Sequence, residues 1–128
     1  MIYTCGFFHV NKVPNPIAIS LTMPDIVHIP VYELLTPPER LESKRNLTVA
    51  EYAKIYTKDV LASLTIEAVS AGVCRLLGLD AFDNFTLVCW DREPRVKEAL
   101  FSHRHLVSRW LREKGVDCIE WFESSRKP

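Results

Sequence analysis

With 128 residues, 48% of them apolar, the chain can bury one core without metals or disulfide staples, so a single domain over residues 1–128 is expected. Lys plus Arg and Asp plus Glu number 16 each. That balance excludes nucleic-acid binding driven by bulk electrostatics and leaves open a local basic patch.

Cys5, Cys74, Cys89 and Cys118 form neither a CxxC pair nor a zinc-type spacing, which predicts free thiols and a reduced, cytoplasmic protein. The opening MIYTCGFF has no basic stretch and too short an apolar run for a signal peptide. No segment reaches the roughly 18 apolar residues that a membrane span needs.

In chain order, Ile2 to Phe8 is β-branched and aromatic and predicts a strand. Gly6 within it would let the backbone turn or a ligand approach. Ile17 to Ser20 predicts a short buried strand, and Asp25 to Pro30 a third, bounded by prolines. Pro37 and Pro38 can open a short helix. Thr48 and Glu51 form a capping box ahead of a helix with Tyr52, Ile55, Tyr56 and Val60 at helical spacing. SLTIEAVSAGVCRLLG predicts a second helix, well buried and ended by Gly78. Phe85 to Asp91 is the clearest strand, apolar on both faces. Ser102 can N-cap a last helix whose apolar face is Leu106, Val107, Trp110 and Leu111. Gly115 ends it, and VDCIEWF predicts a final strand. Strand, helix and strand at these lengths make a βαβ unit with parallel strands. The expected class is α/β, a Rossmann-like, mostly parallel sheet with helices on both faces.

Ligands of open α/β sheets bind beyond the carboxyl ends of the strands. Those ends supply Cys5 and Gly6, then Ser20 and Thr22, then Cys89 to Glu93. Ser102, His103, Arg104 and His105 open the last helix, where free amides and the helix dipole favour an anion. Cations there oppose the dipole by about 0.3–1 kcal/mol each, a local cost that points to function.

LVCWDREP followed by FSHRHLVSRWLREKGVDCIEW resembles the C-terminal signature of the Domain of Unknown Function 488 family. IYTCGFF, AISLTMP, YELLTPP and LTVAEYAKIY are also similar to that family, in the same order, so the resemblance spans nearly the whole chain. It implies an α/β fold, an intracellular protein and a pocket around a Cys-His-Arg element, and it implies no activity. Ser102 stands where the family has cysteine, and Asp91 where many members have Glu.

Cys89 to Arg95 also has the C-x5-R spacing of cysteine phosphatases, but the loop WDREP lacks glycine and carries two acids that repel phosphate. His103 and His105 lie two apart on a helix and point to different faces, which disfavours a shared metal. Arg104, Arg109, Arg112 and Lys114 could form a basic face for nucleic acid, interrupted by Glu113. Tyr52 and Tyr56 could reach a ligand, but as amphipathic helix residues they read as core.

The expected site is therefore an anion pocket lined by Cys5, Ser20, Cys89, Asp91, Ser102, His103 and Arg104. His103 would act as acid or base with Asp91 orienting it, Cys89 would supply a thiol, and Ser20, Ser102 and Arg104 would bind. An imidazolium at His103 would strengthen the hold on an anion. No motif indicates a cofactor or a metal. The expected ligand is a phosphate-bearing small molecule, a nucleotide or a nucleic-acid fragment. The rival reading is a non-catalytic module for a protein or nucleic-acid partner.

Overall fold

The computed structural model describes residues 1–97 and 100–121. Strands β1 (Ile2–Gly6), β2 (Pro16–Ala18), β3 (Thr86–Cys89) and β4 (Cys118–Glu120) form one sheet in the order β2-β3-β1-β4. All three pairings are parallel. The helices are α1 (Glu39–Glu42), α2 (Val49–Asp59), α3 (Ile66–Leu77) and α4 (Arg104–Glu113). The α/β class and the parallel β3-α4-β4 crossover are as expected, with β1 lying between the two strands that the crossover joins.

Local chemistry explains the helix ends. Thr48 Oγ1 accepts from the Glu51 amide at 3.1 Å, and Glu51 Oε1 accepts from the Thr48 amide at 2.9 Å, completing the capping box of α2. Thr65 Oγ1 accepts from the Ala68 amide and starts α3, and Gly78 ends it at φ +67°, a conformation that favours glycine.

Side chains alternate across the strands. Ile2, Leu87, Cys89 and Ile17 face one way and share a core with Tyr52, Tyr56, Val69, Val73, Val107 and Leu111 from α2, α3 and α4. Cys5 and Val88 face the other way, with Phe7 and, from the loops, Val10, Met23 and Val27. The helices therefore pack on one face, which corrects the expectation of helices on both. Connectivity accounts for this. The β2→β3 and β3→β4 connections run in the same direction across the sheet, whereas β1→β2 runs back. A single crossover handedness puts the first two on one face and the third on the other. The returning segment has too few residues between β1 and β2 for more than a 3-10 turn, Phe7–Lys12.

Two further expectations are corrected. Asp25 to Pro30 forms no strand: the Val27 amide turns back onto Pro24 O, and the ladder beside β2 is a single bridge at Val31. Prolines at both ends remove the amides a longer pairing would need. Helix α3 is half buried. Val69 and Val73 face the core, while Leu76 is 46% exposed.

Trp110 packs in the larger core. Trp110→Ala is expected to lower stability by about 3–5 kcal/mol in urea unfolding, the range for emptying a buried aromatic site. A cost below about 1 kcal/mol would contradict the packing of α4 described here.

Candidate functional site

Strands β1 and β3 are neighbours whose chains leave toward opposite faces. This is the position of the ligand crevice in doubly wound sheets. Here it is filled by protein. A Cβ on Gly6 would lie 2.0 Å from Asp91 Oδ1 and 2.9 Å from Asp91 Cα, so glycine is what lets the loop after β3 close over β1. The Asp91 carboxylate accepts from the Phe8 amide at 3.3 Å.

Arg104 crosses the same crevice. Its Nε and Nη2 donate to the Glu120 carboxylate at 3.1 and 3.0 Å, and Nη1 donates to the carbonyls of Trp90 (3.1 Å) and Asp91 (3.4 Å). Nη1 also lies 3.6 Å from Cys89 Sγ. Glu120 Oε1 accepts in addition from Thr4 Oγ1 at 2.7 Å. Burial alone would lower the Arg104 pKa, but Cys89 and Glu120 raise it overall, so the guanidinium stays charged. Arg104 was expected to face an anion; instead it is 6% exposed and bonded to protein. The basic face expected for nucleic acid loses its first member with it. Arg109 pairs with Glu113, Arg112 donates to Ser108 O, and the Lys114 ammonium lies over the Trp110 ring.

The start of α4 also differs from expectation. His103, not Ser102, is the N-cap, and no side chain caps the helix. Ser102 Oγ turns inward, 2.8 Å from Cys89 Sγ. Burial raises the Cys89 pKa against the opposing pull of Arg104 and Ser102, and burial with Glu120 nearby pushes Cys5 up to about 12. Both are thiols at neutral pH, so Cys89 supplies a buried, protonated thiol and no activated nucleophile. All four cysteines are free.

His103 is 3% exposed, and its Nε2 lies 2.6 Å from Ile19 O. A carbonyl can only accept, so Nε2 carries the proton and Nδ1 is a bare acceptor. Nδ1 has no hydrogen-bond partner. Burial lowers the pKa to about 4, so the ring is neutral, which corrects the expected imidazolium. The backbone of Ile19, not Asp91, orients the ring.

His103 lines a cavity of about 330 Å³ beyond the ends of β2 and β3, together with Ser20, Thr22, Trp90, Arg92 and Ser102. Ser20 Oγ donates to Thr22 O, and Trp90 Nε1 donates to Thr22 Oγ1 at 2.9 Å, which fixes this rim. On the opposite side, buried Glu93 accepts from Arg95 Nη1 at 2.7 Å and from Tyr52 OH at 3.1 Å, while Arg95 also pairs with Glu42. Tyr52 and Tyr56 are both fully buried and support this wall from below. Arg92 is exposed and has no hydrogen-bond or ion-pair partner among the described residues. Also among the described residues, no three His, Cys, Asp or Glu side chains cluster as a metal site would require, and no single helix is long and apolar enough to cross a membrane.

The cavity thus brings together Ser20, Ser102 and His103 from the expected set. Cys89 lies behind Ser102, and Cys5, Asp91 and Arg104 belong to the filled crevice. Sequence reasoning placed Trp90, Arg92 and Glu93 at the ligand edge and weighed Arg95 in a phosphatase-like spacing, but included none of them, nor Glu120, in the expected site. The signal for Glu120 was available as an acid in the middle of the expected strand VDCIEWF, between Ile119 and Trp121. No family model matches the chain, and neither the curated proteins nor the solved structures contain a significant match.

Two outcomes follow from this geometry. Arg104→Ala is expected to destabilise the protein by about 3–5 kcal/mol, because it leaves Glu120 without its partner. Urea unfolding of the variant showing unchanged stability would contradict the bridge. The second concerns pH. Native His103 accepts a proton near pH 4, whereas an unfolded one does so near 6.5. Between those values the unfolded state binds more protons, so stability falls as pH drops, by roughly 3 kcal/mol across the window. Glu93 opposes the depression, and Arg104 and His105 reinforce it. His103→Gln is expected to flatten this part of the profile, checked by urea unfolding of both proteins at about pH 7 and about pH 4.5.

Proposed function

We propose that the protein binds a small molecule that carries a phosphate or carboxylate beside a hydrogen-bond donor, in the cavity between Trp90, Arg92 and the start of α4. The observation that carries this reading is His103, a buried neutral imidazole in the cavity wall whose Nδ1 acceptor is unmatched. Leaving such an acceptor unpaired costs about 1–3 kcal/mol, and a hydroxyl or N–H on a ligand would recover it. Arg92 supplies a cation that need not leave a partner, whereas Glu42 and Glu93 are already turned onto Arg95. The N-terminus of α4 adds partial positive charge, and the amides of His103 and Arg104 have no hydrogen-bond partner among the described residues. Nucleotides belong to this ligand class, with phosphate and ribose hydroxyls in one molecule.

Any catalytic step would use His103 Nδ1 as a base toward a ligand proton, because Ser102 is engaged by Cys89, and Cys5 and Cys89 stay protonated. Binding is therefore the first property to measure. Arg92→Ala is expected to weaken binding of inorganic phosphate by about 1.5–3 kcal/mol in calorimetry, the range for a charge-assisted hydrogen bond. Stability should stay within about 0.5 kcal/mol of wild type, since Arg92 is exposed. Absence of phosphate binding to the wild type, or equal binding by Arg92→Ala, would overturn the reading.

A further inference from the structure

A second cavity, of about 320 Å³, lies on the other side of Trp90, where Phe7, Phe8, Val10, Ile26 and Val27 share its lining with polar Asn11 and Asp91. The two cavities share Trp90. Its indole is held on one side by Thr22 and packs edge-on against Phe7 at 5.1 Å, so it is a fixed ridge between them. Of the eight exposed large apolar side chains among the described residues, three line this second cavity, Phe8 (77%), Ile26 (87%) and Trp90, and Leu21 lines the first. Clustered apolar exposure of this kind marks a binding surface, whereas scattered apolar residues do not. Charge differs across the ridge. Unpartnered Arg92 lines the first cavity, and the Asp91 carboxylate lines the second.

We propose that the ligand is amphipathic: a free small molecule whose anionic end occupies the first cavity and whose uncharged apolar tail crosses Trp90 into the second. This rests on the reading of the first cavity given above. Arg92 holds the anionic end in the first cavity and so sets the direction in which the ligand lies. A hydrocarbon tail would cover the exposed Phe8 and Ile26 side chains and remove that apolar surface from water.

The test compares methyl phosphate, hexyl phosphate and adenosine monophosphate by calorimetry at one pH and salt concentration. Hexyl phosphate is expected to bind at least tenfold more tightly than methyl phosphate. Phe8→Ser and Ile26→Ser, both at exposed positions that leave the fold intact, should abolish that gain and leave methyl phosphate affinity unchanged. If methyl phosphate binds and hexyl phosphate gains nothing, the tail site is wrong and the anion site stands. If neither binds, both are wrong. Tighter binding of adenosine monophosphate than of hexyl phosphate would overturn the hydrocarbon tail. Sedimentation showing a dimer that Phe8→Ser dissolves would assign the patch to a second copy of the chain and overturn it as well.

Discussion

Among the described residues, the Arg104–Glu120 bridge joins more elements than any other ion pair. Arg104 begins α4, Glu120 ends β4, Thr4 of β1 donates to the same carboxylate, and the guanidinium holds the carbonyls that follow β3. One ion pair thus fixes the relative positions of three strands and a helix at the carboxyl edge of the sheet. A buried pair of this kind adds little over an apolar replacement, but removing one partner is costly. Its effect is to specify geometry. The crevice between β1 and β3 is closed by Arg104 and Asp91, and two cavities lie to the sides of Trp90.

Periodicity and caps carried the sequence reading where they were local. The capping box at Thr48, the glycine ending α3 and the apolar run of β3 each depend on a few adjacent residues, and the structure shows all three. The failures were non-local. At Asp25 to Pro30 the bounding prolines were a local warning, but that β2 takes up a single bridge, at Val31, depends on the far partner. The burial of α3 was overestimated because its apolar residues outnumber those the sheet can cover. The side on which the helices pack followed from strand order, which no local pattern encodes.

The same distinction governs the site. The cluster after β3 and before α4 was visible as a collection of reactive residue types, and Ser20, Ser102 and His103 do meet at one cavity. Their roles were not visible, because each depends on a partner far along the chain. Ile19 is 84 positions from His103 and sets its tautomer. Glu120 is 16 positions from Arg104 and removes it from the pool of free cations. Asp91 was assigned to His103 by proximity in the motif, whereas its carboxylate bonds across the sheet edge to Phe8. A histidine-arginine pair at a helix start resembled a two-cation anion trap. Burial made one member neutral and an acid held the other, so the free charge resides on Arg92.

Ser102 shows how one atom can set the chemistry of such a site. Its hydroxyl lies against Cys89 Sγ in a buried setting, with Arg104 on the other side of the sulfur. A hydroxyl cannot form a disulfide, so this contact is one of packing and hydrogen bonding with no redox state. What remains for chemistry on this edge of the sheet is proton exchange and charge. Both lie on the cavity side, at His103 and Arg92.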